Sequence, residues 1–144
     1  MTTAVVLDAA AFDVLDRSDG AALRHLLRVV LERGGEVCCA AVTLAEVCRD
    51  LARTRRTEAA IARDRGGQRI LVVPTDVRLA KLVGAVLHGA GHGSESIADA
   101  HMVAVCAGSD AAVVITSDPD DIAELATAMP GTRIVARSPD LRER

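Results

Sequence analysis

The stretch AAVVITSDP (residues 111–119) decides how this chain folds. Its first five residues are apolar without a break, and its β-branched side chains suit a strand buried on both faces. Asp118 before Pro119 then reads as a helix start, with the acid at the N-cap and proline at the first helical position. A doubly buried strand that runs straight into a helix is the repeating unit of a parallel sheet.

The same pattern extends outward from this stretch. Residues 4–7 are a short apolar run that ends at Asp8. Leu23, Leu26, Leu27, Val30 and Leu31 recur at helical spacing, which predicts a helix over 21–31 stopped by Gly34 and Gly35. Residues 36–41 read as a second strand. A helical stretch opens at Thr43, breaks near Thr54 and ends before Gly66. Residues 70–73 form a third strand closed by Pro74. A helix follows over 76–88, with Leu79, Leu82, Val83 and Val86 on one face. The segment GAGHGS (89–94) is a flexible loop. A helix then starts at Ser94 or Ser96 and runs to about residue 107. After the strand at 111–115 come a helix over 118–129 and a last strand over 132–135.

This alternation predicts an α/β fold: a three-layer sandwich with a central, mostly parallel five-stranded sheet, right-handed crossovers and helices on both faces. At 144 residues the chain is expected to be one domain, 1–144, large enough to bury about two-thirds of its unfolded surface.

Composition narrows the function. The net charge of -3 argues against a protein that coats nucleic acid non-specifically. Phe12 is the single aromatic residue, so recognition by base stacking is not expected. Cys38, Cys39, Cys48 and Cys106 lack zinc-ligand spacing and read as buried reduced thiols. No apolar run reaches about 18–20 residues, and residues 1–7 lack the basic start of a signal peptide. A cytoplasmic protein is therefore expected.

In doubly wound sheets, ligands bind beyond the carboxyl ends of the strands, where strand order reverses. Asp8 follows the first strand, and Glu46 lies near the start of the helix after the second. Thr116, Asp118, Asp120 and Asp121 follow the fourth strand, and Asp99 is on the helix leading into it. Each acid also has a structural reading. Thr43 with Glu46, and Ser96 with Asp99, have capping-box spacing. Asp118 suits an N-cap, and Asp8 suits a turn. Together, however, four segments bring carboxylates to one end of a sheet, and like charges there are costly without a cation. Ligands that are all oxygen suit a hard ion, Mg²⁺ or Mn²⁺, which polarises phosphate oxygens and acidifies bound water.

The segments VVLDAAAFD, TLAEV, IADAHMVAVC and ITSDPDDIAEL, in this order and at these separations, resemble a PIN domain, and most of all the VapC-type toxins of toxin–antitoxin pairs. The resemblance covers nearly the whole chain. It implies a metal-dependent endoribonuclease with Asp8, Glu46, Asp99 and Asp118 as the acidic quartet. Asp8, Asp99 and Asp118 would hold Mg²⁺ or Mn²⁺, supported by the Thr116 hydroxyl and by Asp120 as an additional acid. It also implies an RNA substrate, a cognate antitoxin and a homodimer. One residue departs from the pattern: Ala10 stands where the family commonly carries Ser or Thr.

Two other classes are consistent with the residues. One is a PIN-like module that binds RNA or protein without cutting, in keeping with Ala10. The other is a receiver-like phosphoryl-transfer domain using Asp8, Thr116 and Lys81, for which Asp76 is imperfectly placed after the third strand. Seven arginines (Arg49, Arg53, Arg55, Arg56, Arg63, Arg65, Arg69) fall among three acids within 49–69. They read as a solvated helix face, as phosphate contacts, or as a dock for an acidic antitoxin segment. His88, His92 and His101 carry no signal of metal ligation.

Overall fold

The structure, a computed structural model, describes residues 2–141. Five strands, β1 (Thr3–Leu7), β2 (Glu36–Ala40), β3 (Leu71–Val73), β4 (Ala111–Ile115) and β5 (Arg133–Arg137), form one sheet in the order β3-β2-β1-β4-β5. Every pairing is parallel, so the mostly parallel sheet expected from sequence is parallel throughout. Seven α-helices connect the strands: α1 (Ala9–Leu15), α2 (Ala21–Glu32), α3 (Ala41–Val47), α4 (Leu51–Ala62), α5 (Val77–Ala90), α6 (Ile97–Val105) and α7 (Pro119–Ala126).

The period of two along the strands sorts side chains into two cores. Val5, Leu7, Val37, Cys39 and Ile115 face one side, where Phe12, Leu15, Leu23, Leu27 and Ala60 cover them. Ala4, Val6, Cys38, Ala112 and Val114 face the other, against Val83, Val86, Val103, Ile122 and Leu125. Burial on both faces makes the three layers and explains why β1 and β4 read as unbroken apolar runs. Among the described residues, no helix is long and apolar enough to cross a membrane.

The structure revises several boundaries. α1 was not expected from sequence, because its alanine-rich stretch lacks a repeating apolar stripe; the Asp8 side chain caps it by accepting from the Ala11 N–H at 3.0 Å. The break in the long second helical stretch falls at 48–50, not near Thr54, because Asp50 starts a new helix by accepting from the Arg53 N–H at 2.8 Å. The arginine of that pair thus engages Asp50 through its backbone. The Arg53 side chain lies 3.5 Å from Asp13 on α1 instead.

Gly35 sits where the chain turns from α2 into β2. A Cβ there would stand 2.7 Å from the Thr3 carbonyl oxygen and 2.6 Å from a Val30 methyl. Gly35→Ala is therefore expected to destabilise the fold by about 1–3 kcal/mol, as overpacking does. An unchanged urea midpoint would contradict this packing.

Candidate functional site

Strand order reverses between β1 and β4, which pair in register from Thr3 opposite Ala111 to Leu7 opposite Ile115. The crevice beyond their carboxyl ends is where acids from different segments converge. Asp8 leaves β1 with its backbone N–H still bonded to the Ile115 carbonyl at 3.0 Å. Its carboxylate accepts from Ala11 N–H through Oδ1 and from Ser117 N–H through Oδ2, each at 3.0 Å. Thr116 adds a side-chain bond to the same carboxylate, and its Oγ1 accepts the Asp118 N–H at 3.0 Å. The Thr116 hydroxyl, fully buried, thereby links two of the acids named from sequence. Asp8 is itself 7% exposed. Burial raises its pKa even though bonds from Thr116, Ala11, Ser117 and Ala10 each lower it.

Glu46 projects from α3. This helix begins at Ala41 directly out of β2, with no side-chain cap at Ala40, so Thr43 is buried inside it. The capping-box reading of Thr43 and Glu46 is not realised. The Glu46 pKa is raised by desolvation and then by the Asp8 charge, with Arg49 opposing. Asp99 lies in the first turn of α6, and Ser96 makes no side-chain cap there. Asp118 precedes α7 but makes no side-chain cap either, so its carboxylate is left toward the crevice mouth rather than spent on the helix end.

Asp99, Asp118 and Asp121 each offer a carboxylate oxygen, all within 4.8 Å of one another. Asp121 lies three residues past Asp118, a spacing that puts both on one side of the helix start, whereas Asp120 is outside this group. That spacing of three was the available signal for Asp121. Desolvation pushes Asp99 up to about 6, reinforced by Asp118, Asp121, Asp8 and Glu46 in that order. Asp99 therefore feels the charge of the other four acids. At an effective dielectric of about 20, two carboxylates roughly 5 Å apart repel by about 3 kcal/mol. Among the described residues, no Arg, Lys or His forms an ion pair with Asp8, Asp99, Asp118 or Asp121. An oxygen-only, negatively charged and uncompensated set of this kind fits a hard divalent cation.

The other candidates sit elsewhere. His101 is buried, with Nδ1 2.7 Å from the Ile97 carbonyl oxygen. Cys38, Cys39 and Cys106 are buried thiols pushed up to about 12, the wrong direction for thiolate ligands, and Cys48 is partly buried. Asp76 caps α5 by accepting from the Leu79 N–H at 2.8 Å, after the edge strand β3. Of the arginines, Arg65 bonds the Ala60 and Arg63 carbonyls, while Arg53 and Arg56 line a cavity over Phe12, Val47 and Ala60.

Comparison with known proteins agrees with this architecture. A family model described as PIN domain matches residues 5–128. A solved structure of VapBC2 from Rickettsia felis, bound to a DNA fragment from their promoter, contains a chain of similar fold. The TM-score is 0.63 at 11% identity, over 94% of this chain and 99% of that one. No curated protein sequence matches the chain.

The Asp99 carboxyl has a direct consequence for stability. Its folded pKa of about 6 lies above the ordinary 3.8, so the folded chain binds more protons between those values. Without a cation, stability therefore falls as pH rises through that window, and the loss is complete above about 6. Asp99→Asn is expected to stabilise the metal-free protein at pH 7.5 by on the order of 1 kcal/mol, or about 2–4 °C in Tm, with solvent screening limiting the gain. The gain should vanish below pH 4. A substitution that is neutral or destabilising at pH 7.5 would refute the charge repulsion.

Proposed function

The chain belongs to the PIN-domain family, and from that premise we propose that it is a divalent-cation-dependent endoribonuclease, the toxin of a toxin–antitoxin pair. The observation that carries this reading is the convergence of Asp99, Asp118 and Asp121 with Asp8 and Glu46 nearby, and with no cationic partner for the three aspartates or Asp8 among the described residues.

Asp8, Asp99 and Asp118 hold Mg²⁺ or Mn²⁺ in this reading, with Asp121 as a further ligand and Asp120 at the rim. When bound, the ion polarises a phosphate oxygen and makes water more acidic near neutral pH. The protein's own residues do the rest. Asp8 is oriented by Ala11, Ser117 and Thr116, so its carboxylate keeps one direction. Glu46, exposed and facing the Asp8 charge, orients the attacking water and accepts its proton as the phosphodiester P–O bond breaks. The hydroxyl missing at Ala10 is offset at Asp8 by the Thr116 bond and by the Ala10 backbone. With Phe12 as the single aromatic residue, RNA contact rests on phosphates and shape, for which the α4 arginines are the candidate surface.

The VapBC2 likeness supports an antitoxin partner, and the reading includes a homodimer acting in the cytoplasm as a single domain. Ala10 favours one second reading, a PIN-like module that binds without cutting. Calorimetry separates the two: micromolar to millimolar Mn²⁺ binding is expected of the nuclease, and no binding in that range of the module.

Asp8→Ala and Asp99→Ala are each expected to lower Mn²⁺-dependent RNA cleavage by more than about 100-fold, beyond the loss typical of outer-shell changes. Full activity in either variant would sink the mechanism. Expression of the wild-type chain alone should slow bacterial growth, with relief by the product of an adjacent small reading frame. Harmless high-level expression would count against the toxin assignment while leaving the nuclease untouched.

A further inference from the structure

The loop between α5 and α6 is built to place one imidazole. α5 ends at Gly91, whose φ of 70° is left-handed and suits glycine. The Gly91 N–H donates to the His88 carbonyl at 3.2 Å and the His92 N–H to the Leu87 carbonyl at 2.9 Å. This helix-ending motif fixes the direction in which His92 leaves. Just before it, Gly89 lies against the end of α7. A Cβ there would stand 3.0 Å from the Ala128 Cβ, so glycine permits close approach of the two segments.

From this position His92 spans two elements. Nε2 lies 3.0 Å from Glu124 Oε2, and Nδ1 lies 2.9 Å from Ser96 Oγ. The ring side chain is 19% exposed. A neutral imidazole satisfies both contacts, with Nε2–H donating to Glu124 and Nδ1 accepting from the Ser96 hydroxyl.

The ends of this bridge sit one helical turn from the acids. Ser96 lies three residues before Asp99 on α6, and Glu124 lies three residues after Asp121 on α7. Asp99 and Asp121 bring carboxylate oxygens within 4.8 Å of one another, so like charges face each other across α6 and α7. Among the described residues, His92 makes the one side-chain hydrogen-bonded path between these two segments. We propose that His92 is a positioning residue, which holds the first turn of α6 against α7 and so sets the spacing of Asp99 and Asp121 for a cation. The inference rests on the cation-site reading above. His92 touches neither the acids nor, by this reading, the substrate.

The test uses Mn²⁺ alone as the probe, with calorimetry on the full chain. His92→Ala is expected to weaken Mn²⁺ binding about tenfold, the low end for outer-shell residues. Ser96→Ala and Glu124→Ala should each weaken it several-fold and add little in the His92→Ala background, because all three remove one bridge. In the metal-free protein, amide hydrogen exchange in α6 beyond its first turn and in the last turn of α7, which carries Glu124, should speed up in His92→Ala. Glu124 is 67% exposed, so Glu124→Ala serves if His92→Ala does not fold. Wild-type Mn²⁺ affinity and unchanged exchange in a folded His92→Ala chain would overturn the proposal. A wild-type chain that binds no Mn²⁺ would instead overturn the cation site, while the exchange measurement, which needs no ion, still decides the bridge.

Discussion

The carboxylate of Asp8 is the constraint on which the rest of the site depends. One oxygen accepts the Ala11 N–H and so starts α1; the other accepts the Ser117 N–H and so holds the chain as it leaves β4. The backbone of the same residue continues the β1–β4 ladder to Ile115. A single residue thereby ties the first helix, the central strand pair and the β4–α7 connection. Its cost is the burial of an acid, offset by the four bonds it receives.

Around that fixed point the remaining acids are held by helices rather than by one another. Asp118 and Asp121 come from the start of α7, Asp99 from α6 and Glu46 from α3. For the aspartates these are helix starts, favourable places for negative charge, since the unpaired N–H groups there carry partial positive charge; Glu46, in the last turn of α3, has no such support. That explains how these aspartates persist in the folded chain with no Arg, Lys or His ion pair among the described residues. It does not remove the repulsion, which adds to desolvation, the larger cause, in the upward displacement of Asp99.

Much of this was legible before the structure. The unbroken apolar runs of β1 and β4 announced a doubly covered sheet, and the acids following them marked its switch point. What was not legible depended on contacts distant in sequence or on single backbone bonds. The helix start at Ala41 removed the capping role that Thr43 and Glu46 have by spacing, because β2 feeds α3 without a turn. Asp121 was set beside Asp99 by the packing of α7 on α6, whereas the family resemblance pointed to Asp120 as the additional acid. The break at 48–50 hung on the Asp50 cap, one hydrogen bond among several candidate Thr and Asp positions. His92 gained its partners from a glycine-defined helix end, which spacing alone does not reveal.

The sheet order also sets a clock. β1 must wait for β4, since Leu7 pairs with Ile115, whereas the pairs on either side of this junction join consecutive strands. Contacts of such long sequence separation form late, after the loop-closing entropy has been met. A chain growing from its N-terminus therefore carries Asp8 and Glu46 for most of its synthesis with no partners at the crevice. The acid group exists only once residue 121 has left the ribosome and α7 has docked. Whatever chemistry the site performs is thus withheld from the nascent chain by topology alone.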